Sequence, residues 1–354
     1  MMKPILLPLT ALTLLPACAG GGGGVAPLPA VNVHASAETA PVGTGNADAA
    51  DDPAIWRNPA DPAASLIVGT DKKAGLYVYG LDGKVKSFLD AGAVNNVDLL
   101  GGSEQALVVA SDRNDLANSK LALFTLRFDD PVLKPLGAVE SGPGEAYGVC
   151  LQRRDVSADL SALTAYAAIK DGTVREIMLT RRGDGGYDGR VRRQWKLASQ
   201  IEGCVTSPRS GDLYIGEEDV GIWRIRAMIM DAAPQPEVFA TVGSEGGLVA
   251  DVEGLAYAMN PDAKDLLLAS SQGDNAYAVF DTTDGKLLGR FRIADGTEID
   301  GTSETDGIEL MLGDFGPTFP GGLFIAQDGS NPGAAQNFKL VSWQAIVDAL
   351  DLAH

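Results

Sequence analysis

Short apolar runs recur along this chain, and turn signals separate them. From Pro53, "PAIWRN" alternates weakly, and "SLIVGT", "GLYVYGL" and "KVKSFL" follow. Asn58-Pro59, the stretch from Asp71 to Gly75 and the Asp82-Gly83 pair divide the four. Asp-Gly between such runs signals a tight hairpin, and "TTDGK" from Thr282 and "YDG" from Tyr187 repeat it later. Four antiparallel strands in about fifty residues make one meander of a propeller blade.

Polar words punctuate the pattern six times. They are "DDPAIW" from Asp51, "NNVDLL" from Asn95, "EAYGVC" from Glu145, "QIEGCV" from Gln200, "DVEGLA" from Asp251 and "ETDGIE" from Glu304. With Asp52, Asn96, Tyr147, Glu202, Glu253 and Asp306 as anchors, the spacing is roughly fifty residues, the period of a solenoid or propeller. A second series runs out of phase: apolar runs that end near Lys72, Arg113, Lys170, Glu217, Gln272 and Asp328. The pattern predicts an all-β, six-bladed propeller with four antiparallel strands per blade. A β-sandwich, or two small β domains, has no reason to repeat six times.

In a meander, the start of strand one and the end of strand two share a face. With strand one innermost, both polar series converge on one mouth of the central channel. That mouth is polarised. Units one to three bring Lys72, Lys73, Arg113 and Lys170. Units four to six bring Glu202, Glu217, Glu218, Asp219, Asp251, Glu253, Asp300, Glu304, Asp306 and Asp328, and Asp51 and Asp52 enter from unit one. Crowded carboxylates repel and raise one another's pKa. Oxygen-only clusters select hard divalent cations, Ca²⁺ or Mg²⁺. A single acidic turn residue is ordinary solvated surface; so large a set is not.

The formal net charge of −19 and pI of about 4.4 make nucleic acid and anionic membrane poor partners. The two histidines, His34 and His354, flank the repeat, which excludes histidine-nucleophile phosphatases, Ser-His hydrolases and His-ligated zinc. Cys204 with "VTSPR" lacks the spacing of a cysteine phosphatase loop. Metal-activated water, with cations to hold an anion, is the chemistry that remains.

Residues 1–18 read as a lipoprotein signal peptide. "LPAC" makes Cys18 the lipidated residue, and the rival is ordinary cleavage after Ala19. Residues 19–30 form a Gly/Ala/Pro tether, and residues 31–354 the propeller. Either cleavage exports the chain: lipid-anchored at a bacterial envelope, or else periplasmic or secreted. Membrane contact is expected only through the lipid, and the chain is expected to be a monomer. The strand-like run Val31 to Val42 is expected to supply the outer strand that unit six lacks, and the tail from Trp343 to be helical. Cys150 and Cys204 are the remaining thiols. With Gly148 and Gly203 aligned, they fall on opposite faces of consecutive inner strands. The expectation is a disulfide between blades three and four, the alternative two buried free thiols.

"DDPAIWRNP", "TDKKAGLYVYGLDGK", "NNVDL", "EAYGV", "YIGEEDVGIW", "LLASSQGDNAYAVF" and "DGTSETDGIEL" closely resemble the β-propeller phytases, in order and spacing, from about Ser36 to Trp343. That resemblance implies a phosphomonoester hydrolase that releases phosphate from phytate with several Ca²⁺ ions. Lys72, Arg113, Tyr147 and Lys170 fall where the family holds substrate phosphates, with Lys73 a helper. Glu202, Glu217, Asp251, Glu253, Asp300 and Asp306 match ligands of a catalytic calcium cluster, Asp52 a more structural calcium position, and Asp51 and Asp328 further ligands. Glu202 and the four phosphate-holding residues make up the implied catalytic set. Asp171 stands where a Glu often follows the lysine, and Asp112 where an Asn can stand. The alternatives are a calcium lactonase on a similar propeller, which the cationic side chains disfavour, and a non-enzymatic surface-binding propeller.

Overall fold

The computed structural model describes residues 28–45, 48–153, 160–227, 234–260 and 264–352. Cys18, the signal segment and most of the tether lie outside them. Within them the chain forms six antiparallel sheets arranged in a ring. The inner strands are Ala50–Trp56, Val94–Gly101, Ala146–Leu151, Ile201–Thr206, Val252–Ala258 and Ile308–Leu312. Each packs against the next, and the sixth packs back on the first.

The core is divided among the blade interfaces. Six apolar clusters occur among the described residues, each between two neighbouring blades. Leu76, Val78, Val97 and Val108, for example, fill the space between blades one and two. Strand alternation explains this layout, because each strand carries one apolar set to each neighbour. Cys150 and Cys204 lie in the cluster between blades three and four, joined by a disulfide with Cα atoms 5.8 Å apart.

The N-terminal segment closes the ring in a way that refines the expectation. Ala37–Glu38, not Val31–Val33, supplies blade six with its outer strand, pairing antiparallel with Asn337–Ser342. Val31–Val33 instead adds a fifth, parallel strand to blade five beside Leu287–Ile293. The helix Trp343–Leu350 follows and sets Ile346 and Val347 into the cluster between blades five and six. No helix among the described residues is long and apolar enough to cross a membrane.

Candidate active site

One backbone hydrogen bond recurs at the channel mouth. Just past the second strand, an amide donates to the carbonyl of a residue just before or opening the first: Lys72 to Ala49, Arg113 to Ala93, Lys170 to Glu145, Glu218 to Gln200 and Gln272 to Asp251. These five side chains therefore occupy equivalent positions. Blade four delivers Glu218 there, not Glu217, which corrects the ligand assignment. Side chains alternate along the backbone, so Glu217 turns inward. It is fully buried, with Oε1 accepting from Ser199 N and Oγ and Oε2 accepting from Trp223 Nε1 at 2.7 Å.

The inner strands carry a second recurrent device. In four blades, two residues oppose one across the ladder: Asp51-Asp52, Asn95-Asn96, Glu202-Gly203 and Glu253-Gly254. Such a bulge re-aims a side chain. Blade three has its irregularity at Tyr147. The first bulge residue faces the mouth, so Asp51 and Asn95 share the ring with Tyr147, Glu202, Glu253 and Asp306. Asp52 lies one step deeper, with Oδ2 accepting from Val97 N at 3.0 Å. It lines a small polar cavity with Asp98, Arg153 and Glu309. Gly203 must be glycine: a Cβ there would stand 2.2 Å from the Glu253 carbonyl oxygen.

Oxygen atoms of Glu202, Glu218 and Glu253 lie within 4.8 Å of one another. Burial, then Asp51 and Glu253, pushes Glu202 well above the usual carboxylate range. Glu253 rises for the same reason, with Asp306 its strongest neighbour, and burial and Asp51 push Asp306 up to about 7. Asp51 Oδ1, Glu218 Oε1 and Glu253 Oε2 are buried and accept no hydrogen bond among the described residues. Unpartnered oxygens in an all-carboxylate set fit a hard divalent cation. Glu202, Glu218, Glu253, Asp51 and Asp306 are the residues placed to hold one.

The opposite half is cationic. Lys72 Nζ touches Asp48, Asp51 and Asp306, at 2.5, 2.9 and 2.8 Å. Burial alone would lower its pKa; Asp51 and Asp306 overcome that and raise it. Arg113 and Lys170 both stand over the Tyr147 ring, with their charged atoms 5.0 and 4.7 Å from its centre. Lys73 is half-exposed, 3.9 Å from Asp48.

Besides Glu217 and Asp52, three further assigned ligands lie away from the mouth cluster. Asp300 and Asp328 belong to a group around Lys339, whose fully buried ammonium pairs with Asp300, with Glu38 at 2.5 Å and with Asp328 at 3.4 Å. Asp251 is partly buried beside Asp219, and burial raises its pKa. Asn95, Gln272, Glu145 and Lys339 went unassigned from sequence. Counting one residue past the second strand in every blade would have selected Gln272 and Glu218.

The Phytase family model matches residues 4–353. The chain belongs to the phytase family. It is also 38% identical over 332 residues to the 3-phytase of Bacillus subtilis (strain 168), covering 90% of this chain and 85% of that protein. A phytase of this architecture presents its acidic and basic halves at the same channel mouth, with the Tyr147 ring between them. Family membership makes the protein a phosphoric monoester hydrolase.

Proposed function

We propose that this protein releases phosphate from phytate with calcium held at the channel mouth. One observation carries this reading. Arg113, Lys170 and Tyr147 share a rim with Glu202, Glu218 and Glu253, so an anion holder and a cation holder meet at one opening. Bound calcium would neutralise the carboxylates and supply water of lowered pKa. Arg113 and Lys170 grip phosphate oxygens and spread the charge that develops on them. Tyr147 keeps both cations over its ring, and Lys72 links Asp51 and Asp306 to the substrate side. A ring bearing several phosphates can engage both halves at once, whereas a simple monoester engages part of the surface.

The test compares phosphate release from calcium-phytate and from p-nitrophenyl phosphate, at pH 7 and pH 4, with Ca²⁺ or excess EDTA. Expected is activity on phytate at pH 7 that EDTA abolishes and Glu202→Gln removes. Equal turnover of both substrates, persistence in EDTA or an optimum at pH 4 would reject it.

For location, the reading is export and anchoring by a lipid on Cys18, as a monomer, on the strength of "LPAC" and the glycine run. Cys18→Ser should release the protein from the membrane fraction. An intact mass showing an unmodified N-terminus at Gly20 would mean ordinary secretion.

A further inference from the structure

Asn95 sits between the two halves of the mouth. It is the first bulge residue of blade two's inner strand and is 1% exposed. Its Oδ1 accepts from Arg113 NH1 at 2.5 Å, and its Nδ2 donates to Glu202 Oε1 at 2.7 Å. A guanidinium only donates, so the Asn95 oxygen faces Arg113 and its NH₂ is left to face Glu202. The amide therefore has one orientation that serves both. Arg113 is held from two further sides, by Glu145 at 2.5 Å and by the Tyr147 ring. A chain of polar contacts thus runs from Glu145 of blade three through Arg113 and Asn95 of blade two to Glu202 of blade four. A carboxylate at position 95 would repel Glu202 and Asp51; an ammonium would compete with Arg113. A neutral group with one acceptor and one donor satisfies both neighbours.

We propose that Asn95 is a positioning residue whose carboxamide fixes Arg113 and Glu202 relative to each other, so that the phosphate grip and the metal-side carboxylate keep one register. This rests on the phosphate and calcium roles given above. Asn95→Leu removes both ends of the amide. Asn95→Asp keeps the acceptor for Arg113 and loses the donor to Glu202. A hydrogen bond to a buried charge supports an expectation of about a tenfold rise in KM for calcium-phytate in Asn95→Leu. In Asn95→Asp, KM should stay within about twofold of wild type while kcat falls, a split that general destabilisation would not produce. Adding Asn95→Leu to Arg113→Ala should raise KM little further, because Asn95 acts on phosphate binding through Arg113.

Calorimetric titration with inorganic phosphate, without calcium, should follow the same order and needs no turnover. Unchanged KM and phosphate affinity in Asn95→Leu, equal KM in the Leu and Asp variants, or fully multiplicative effects with Arg113→Ala would overturn the role. If Asn95→Leu does not fold, Asn95→Asp decides: a KM rise as large as that of Arg113→Ala overturns it. A wild-type protein that binds phosphate but releases none from phytate would refute the proposed function, and the titration would still decide the role of Asn95.

Discussion

Glu217 and Glu218 are consecutive residues that face opposite ways. Glu217 is bound by Ser199 and Trp223 inside blade four, and Glu218 joins Glu202 and Glu253 at the mouth. Neutralising each should separate folding from metal binding. Glu217→Gln should cost about 1–3 kcal/mol of stability by weakening three buried contacts, with calcium affinity nearly kept. Glu218→Gln should lower calcium affinity about tenfold or more and leave the metal-free protein as stable or more so. Thermal melting beside calcium titration checks both.

The raised carboxylates set a pH dependence with a definite sign. Glu202, Glu253 and Asp306 hold protons in the folded protein at pH values where the unfolded chain has released them. The folded state then binds more protons, so stability falls as pH rises. For Asp306 the window runs from its ordinary value up to about 7. Metal-free protein should therefore melt at lower temperature at pH 7.5 than at pH 5. Calcium binds the deprotonated form, so the gap between melting curves with and without Ca²⁺ should widen over the same interval. A gap that narrows would contradict the cluster as the metal site.

Tyr147 carries two cations on one ring. Removing the ring in Tyr147→Leu forfeits contacts worth about 0.5–2 kcal/mol each. KM for phytate should rise about 3- to 30-fold, and calcium affinity should change little. Steady-state kinetics at saturating Ca²⁺ provide the measurement.

The Cys150–Cys204 disulfide spans two blades over a sequence separation of 54. Replacing both with alanine should lower stability by about 2–4 kcal/mol. Alkylation of the denatured, unreduced wild-type protein should label neither cysteine.

The blades were legible because every level of the pattern agreed: short alternating runs, Asp-Gly turns and a sixfold period. The ring of site residues was legible only where one polar candidate stood alone. Glycine follows Glu202, Glu253 and Asp306, so those anchors were unambiguous. At Asp51-Asp52, Asn95-Asn96 and Glu217-Glu218 two polar residues adjoin, and spacing does not say which faces the channel. Backbone register decides it, and a bulge shifts that register by one. The anchors Asp52 and Asn96 were accordingly one residue late. Lys339 was hidden because it lies in an apolar strand, "NFKLVS", where the usual reading is a surface lysine. In the fold it is buried between Glu38 and Asp300.

The clasp at blade six pairs Ala37 with Leu340. During synthesis those partners emerge at opposite ends of the job, so a strand made early must wait for nearly the last. The same seam sets Ile325, Leu340 and Phe338 of blade six against Ile55, Ile67 and Tyr79 of blade one. A chain cut short before Asn337 would keep five blades and lose the seam, and with it the alignment of Asp306 against Asp51. The seam is thus a condition of activity: a copy that lacks it is expected to have no assembled mouth.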